Sequence, residues 1–248
     1  MLRYERFTSD RRAMTDLLRL EAVTAGYGYG AAAIENVALS LPRGSSLAVL
    51  GRNGVGKTSL LATIMGLTQM ASGKITFDGG EIGGIDTYER ARLGLGYVPQ
   101  EREIFPSLTV EENLSVARVD RGKWNIESVF ELFPRLAERR QNFGNHLSGG
   151  EQQMLAVGRA LVSNPALLIL DEPFEGLAPV IVDQLVEALK RIRKESDMTF
   201  ILVEHHVDLA LSLTVQALIL DRGQVVWNGK SNDLAGNKSV LSSLVGIS

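Results

Sequence analysis

Apolar and polar positions change their period along the chain, and each change marks an element. Residues 18–24 and 34–41 alternate or cluster apolar side chains between glycine-rich turns, which predicts short antiparallel strands. Residues 46–50 form an unbroken apolar run, and after a glycine-rich segment residues 58–65 continue as a helix. Residues 74–82 read as a hairpin about Asp78-Gly79-Gly80. From residue 101 to about 145 the pattern turns helical: Ile126, Val129, Phe130, Phe133 and Leu136 recur at helical spacing as one stripe. Within that stretch Thr109-Val110-Glu111-Glu112 reads as a capping box. Beyond it, residues 167–170, 200–203 and 217–220 are buried-strand runs separated by helical segments such as 180–194. The sum is an α/β core with antiparallel strands near the start and a mostly helical lobe, about 101–155, inserted in it. No internal repeat or low-complexity segment interrupts this order.

Composition narrows the class. At 248 residues the chain can bury a substantial core as one domain. Its 26 basic residues are scattered among 29 acidic ones for a formal net charge of −3, which leaves no electrostatic footprint for a nucleic acid. The absence of cysteine excludes disulfides and cysteine-based metal sites and fits the cytoplasm. No apolar run approaches the roughly 18 to 20 residues that span a bilayer, so the chain is not expected to form a channel itself. Residues 1–16 mix Arg3, Arg6, Arg11 and Arg12 with Glu5, Asp10 and Asp16 and have no apolar core; they are expected to be a flexible extension before a single domain, 17–248.

The chemistry concentrates in five places. Gly51-Arg52-Asn53-Gly54-Val55-Gly56-Lys57-Thr58, followed by Ser59, is a phosphate loop in the strand–loop–helix context it requires. Its glycines let backbone amides close around phosphates at a helix N-terminus, with Lys57 on the β- and γ-phosphates and Thr58 on Mg²⁺. The second is the apolar strand ending in Asp171-Glu172, which brings one carboxylate for the metal and one to polarise an attacking water. The third, Ser148-Gly149-Gly150-Glu151, has a plain meaning as a helix-starting capping box. Gln100 and His205 each follow a predicted strand and complete the set.

Taken in order, the phosphate loop, Leu147-Ser148-Gly149-Gly150-Glu151-Gln152-Gln153 and Asp171-Glu172 resemble the ATP-binding cassette of ABC transporters, from about residue 18 to the C-terminus. That resemblance implies an α/β fold with a P-loop NTPase (RecA-like) core, an antiparallel β lobe and a helical lobe, binding ATP and Mg²⁺. It implies Glu172 as the general base, with Gln100 and His205 beside the metal and the γ-phosphate. Ser148, Gly149, Gly150 and Gln152 would reach ATP held by an opposite subunit, which requires dimerisation. Tyr27, or alternatively Tyr29, matches the aromatic residue that stacks on adenine. Two positions depart from the family pattern: His206 stands where Asp is frequent, and Ala178 replaces the aspartate of the loop 173–178.

The tracts Tyr97-Val98-Pro99-Gln100, Leu108-Thr109-Val110-Glu111-Glu112-Asn113-Leu114 and Glu175-Gly176-Leu177-Ala178-Pro179 look like the branched-chain amino acid importer branch, in its second ATPase subunit type. Closely similar subunits serve urea and short-chain amide importers. The resemblance implies a nonidentical homologous cassette as partner, or a second identical chain, together with transmembrane permeases fed by a periplasmic or lipoprotein binding protein. The chain would then sit on the inner face of the cell membrane. A soluble ABC ATPase of repair or translation would carry two cassettes, a coiled coil or a basic surface, and an ATP-binding regulator would not need Glu172 and His205.

Overall fold

The computed structural model describes residues 16–28, 30–120 and 122–244. The expected extension 1–16 therefore lies outside the described residues except for Asp16, which already belongs to the first strand. In chain order the elements are β1 (Asp16–Gly26), β2 (Ile34–Pro42), β3 (Ser46–Leu50), α1 (Lys57–Met65), β4 (Gln69–Phe77), β5 (Gly80–Glu81), α2 (Thr87–Leu93), β6 (Leu95–Val98), α3 (Val110–Ser115), α4 (Ile126–Leu132), α5 (Pro134–Glu138), α6 (Gly149–Leu161), β7 (Leu167–Asp171), α7 (Pro179–Glu195), β8 (Thr199–Val203), α8 (Val207–Leu213), β9 (Gln216–Asp221), β10 (Gln224–Lys230), α9 (Ser231–Ala235) and α10 (Lys238–Leu244).

Two sheets result. β2-β1-β4-β5 is antiparallel, as the alternating pattern predicts, and β10-β9-β3-β8-β7-β6 is parallel apart from its edge strand β10. The unbroken apolar runs at β3, β7, β8 and β9 follow from burial on both faces. Ala48, Leu50, Leu168, Leu170, Phe200 and Leu202 point into one core with α6 and α7, whereas Leu47, Val49, Leu167, Ile169, Ile201 and Val203 point into a second core with α1 and the antiparallel sheet. Strand β10 was not anticipated; its side chains alternate between exposed and half-buried, so no continuous apolar run marks it.

The helical stretch is less regular than its sequence. Phe133 ends α4 and Pro134 opens α5, because proline removes the amide an unbroken helix would need. The predicted stripe is thus shared between two short helices, yet Val129, Phe130, Phe133 and Leu136 are still buried together. Both expected capping boxes form, at Thr109 with Glu112 and at Ser148 with Glu151. Helix α6 runs through residue 155 to Leu161, so the expected boundary of the lobe falls inside a helix.

Arg90 on α2 fastens the helix that follows the phosphate loop. Only 2% exposed, it donates to the carbonyls of Thr63 and Ile64 in the last turn of α1 at 2.9 and 2.7 Å, and to those of Ile85 and Gly83 at 2.8 and 3.1 Å. Burial lowers the pKa of its guanidinium. Removing those donors leaves helix-end carbonyls unsatisfied, so Arg90→Met is expected to destabilise the fold by on the order of 3 kcal/mol. A urea midpoint unchanged from the wild type would contradict that.

Candidate functional site

Strand register places the chemistry on one edge. Val203 of β8 pairs with Val49 of β3 on one side and with Asp171 of β7 on the other, and Val98 of β6 pairs with Leu170. The segments that leave these strands therefore emerge level with one another at the carboxyl end of the parallel sheet, where open α/β sheets bind ligands. They carry Gly51 to Ser59, Gln100, Glu172 and His205. A cleft of about 580 Å³ opens there, lined by Asn53, Gly54, Gly56, Lys57, Thr58, Ser59, Gln100, Glu172 and His205 among others.

Two glycines of the loop are required by space as well as by conformation. Gly51 has φ 146°, and a Cβ there would lie 2.4 Å from the Leu220 carbonyl oxygen; Gly56 has φ 107°, and its Cβ would lie 2.6 Å from that of Ala33. Gly56 is also the N-cap of α1 and brings no side-chain cap, and the first turn of α1 holds no acidic residue. Such a helix end suits an anionic ligand that takes up its amides. Lys57 is buried and donates to the carbonyls of Gly51 and Arg52 at 3.0 and 3.2 Å. Desolvation lowers its pKa, opposed by the charges of Glu172, Asp171 and Glu204.

Asp171 is fully buried; its Oδ2 accepts from the Tyr97 hydroxyl at 3.3 Å, and its Oδ1 has no hydrogen-bond partner among the described residues. Burial pushes its carboxyl up, against the lowering influence of the nearby Thr58 and Tyr97 hydroxyls. An orphaned oxygen on a buried carboxylate close to Thr58 fits a Mg²⁺ ion, whose remaining ligands would be phosphate oxygens and water. No group of three carboxylate, imidazole or thiolate side chains among the described residues could hold a metal by itself.

Glu172 occupies the left-handed region, φ 48°, a strained backbone for a non-glycine residue. Its Oε1 lies 2.8 Å from Nε2 of His205. Desolvation raises its pKa to about 7, with Lys57 opposing and Glu175 and Asp171 reinforcing the rise. Desolvation and the Lys57 charge together lower the pKa of His205. The two side chains lie within hydrogen-bonding distance of each other, so one proton can be shared between them. The amide of Gln100 donates to the Glu175 carboxylate, which joins the loop after β6 to the loop after β7.

Ser148, Gly149, Gly150 and Gln152 do not line this cleft. They sit at the N-terminus of α6, where Gln152 donates to the Gly144 carbonyl at 3.2 Å. The loop after Gln100 is tied to the same helix: Arg102 donates to Gln153 at 3.1 Å and Arg159 to the Glu103 carbonyl at 2.6 Å. Tyr27 stands 57% exposed, outside the cleft, and Tyr29 lies outside the described residues. Ala178 is the N-cap of α7 with no side-chain bond, because a methyl side chain has no acceptor to offer. Sequence reasoning missed Glu175, Arg222 and Gly223 in the lining. Arg222 and Gly223 form the turn between β9 and β10, whose edge strand gave no apolar signal.

The family model described as ABC transporter matches residues 34–175. A high-affinity branched-chain amino acid transport ATP-binding protein, BraG of Pseudomonas aeruginosa, is 39% identical over 93% of this chain and 100% of its own length. A probable branched-chain amino acid transport ATP-binding protein, LivF of Archaeoglobus fulgidus, is 36% identical over 93% of this chain and 99% of its own. Among solved structures, a dimeric ATP-binding cassette in a post-hydrolysis state with ADP and Pi superposes with a TM-score of 0.75 at 26% identity, covering 86% of this chain and 98% of that one.

Proposed function

This chain belongs to the ABC transporter family and is an ATPase subunit of that kind, and from this premise we propose that it energises an importer of branched-chain or other hydrophobic amino acids. The observation that carries the subunit architecture is the split of the site: Lys57, Thr58, Gln100, Glu172 and His205 line one cleft, with Asp171 buried beside Glu172, whereas Ser148, Gly149, Gly150 and Gln152 do not line it. A second cassette, homologous and nonidentical, supplies the missing signature residues, and this chain supplies its own to the partner's nucleotide. Permease subunits bind the pair at the cytoplasmic face of the membrane, and a binding protein delivers the amino acid. No helix among the described residues is long and apolar enough to cross a membrane.

In the cleft, amides of the loop 51–58 and the Lys57 ammonium take the β- and γ-phosphates, and the adenine extends beyond the cleft lining to stack on Tyr27 or, alternatively, Tyr29. Asp171, Thr58 and Gln100 are the residues that would hold Mg²⁺, which when bound offsets charge on the phosphate oxygens. Glu172 orients a water against the γ-phosphorus and takes its proton as the new P–O bond forms and the bridging P–O bond to ADP breaks. His205 faces the γ-phosphate and holds the Glu172 carboxylate in line.

Purified alone and dilute, the chain is expected to bind ATP and hydrolyse it slowly; adding the homologous cassette and permeases should raise turnover. In proteoliposomes with the binding protein, leucine or isoleucine should stimulate hydrolysis and urea should not. Full turnover independent of concentration by the isolated chain would overturn the shared site, and stimulation by urea alone would overturn the substrate.

A further inference from the structure

Glu204 belongs to none of the motifs above, yet it is buried, 3% exposed, directly behind the cleft. One carboxylate oxygen accepts from the backbone amide of Phe174 at 3.1 Å, and the other accepts from the amides of His205 at 3.0 Å and His206 at 3.4 Å. No Lys or Arg pairs with it among the described residues. A buried carboxylate on which the Lys57 cation acts without a direct ion pair is costly, and its burial indeed pushes its pKa up. What this group does that an apolar residue could not is to hold two loops with one side chain.

The two loops matter because each reaches the cleft. Residue 174 lies in the segment after Glu172, whose next residue, Glu175, accepts from Gln100 and lines the cleft. His205 contacts Glu172 at 2.8 Å from the other side. We propose that Glu204 is a positioning residue that clamps the loop 173–178 to the backbone of His205, so that the two move as one body and the His205–Glu172 contact survives displacement of that loop. The inference rests on the reading of His205 as a group acting at the γ-phosphate.

The clamp predicts a particular pattern of loss. In Glu204→Gln one oxygen still accepts, while the new NH₂ group confronts a backbone N–H, so one loop is released. ATP affinity should stay within about threefold of wild type, because Lys57 and the phosphate loop are untouched. The kcat of the assembled complex should fall about 10- to 100-fold, the scale of a misplaced catalytic group. Since the effect runs through His205, Glu204→Gln added to His205→Ala should cost almost nothing further. A merely structural residue would lower affinity, melting temperature and kcat together, and its loss would multiply with that of His205→Ala.

Amide exchange gives a second reading that needs no activity. In the wild-type chain the amides of Phe174, His205 and His206 should be protected, and Glu204→Asp, which keeps the charge and draws it back by one methylene, should expose them. Unprotected amides in the folded wild type, independent losses in the double variant, or an unchanged kcat would each overturn the clamp. Failure of the hydrolytic reading would look different: Glu172→Gln would then retain wild-type turnover whatever Glu204 does.

Discussion

Glu172→Gln is expected to keep ATP affinity and to lose turnover by on the order of 10² to 10⁴, the range for removing a general base. The substitution keeps the side chain's shape and removes the oxygen that accepts the proton, while Lys57, Thr58 and Asp171 remain to hold phosphate. With ATP retained between two cassettes, the closed dimer should accumulate when the partner's site is also inactive. Acidity supplies a second signature. The Glu172 carboxyl is raised to about 7 from 4.5, chiefly by desolvation. Between those values the folded chain keeps a proton that the unfolded chain has released, so this group's stabilising contribution, present below about 4.5, is lost as pH rises through about 7. Activity runs the other way. The log of kcat/KM, which reports the free enzyme, should climb with pH up to about 7 in the wild type and lose that limb in Glu172→Gln. Wild-type turnover by the variant, with every other cassette site inactivated, would transfer the role to His205 or to attack assisted by the substrate.

The parts of this molecule that were legible in advance are those whose physics is local. The phosphate loop needs particular glycines within eight residues, and the structure shows why at Gly51 and Gly56, where a Cβ would meet carbonyl oxygens. The runs at β3, β7, β8 and β9 spell burial on both faces, and the two capping boxes close over three residues each. What stayed hidden depends on distant backbone. Arg90 serves carbonyls up to 27 residues earlier, and Glu204 serves an amide 30 residues earlier, so neither spacing nor residue type announces them. Phe133 shows a middle case, since its burial was readable while the break at Pro134 divides the helix on which the stripe was placed. Glu175 and Arg222 enter the cleft only because their turns leave strands that end beside it.

Lys57→Ala should produce the opposite pattern from Glu172→Gln, losing binding first. The ammonium donates to carbonyls of its own loop at 3.0 and 3.2 Å, which keeps it beside the amides that face the phosphates. A charge-assisted contact to phosphate contributes roughly 1.5 to 3 kcal/mol, so ATP affinity should fall about 10- to 100-fold. Turnover at fixed ATP should fall with it. Stability of the nucleotide-free chain should change little, because burial already disfavours this ammonium, as its lowered pKa records. The difference appears when ATP is added: ligand stabilisation follows RT ln(1 + [L]/Kd), so a hundredfold weaker Kd removes up to about 2.7 kcal/mol at the same ATP concentration. Lys57→Arg should not restore affinity, since a planar guanidinium does not fit the loop that encloses a compact ammonium. Thermal denaturation with and without ATP separates the cases: a large loss without nucleotide and a full ATP-dependent rise would make Lys57 a scaffold residue and remove it from the phosphate contacts.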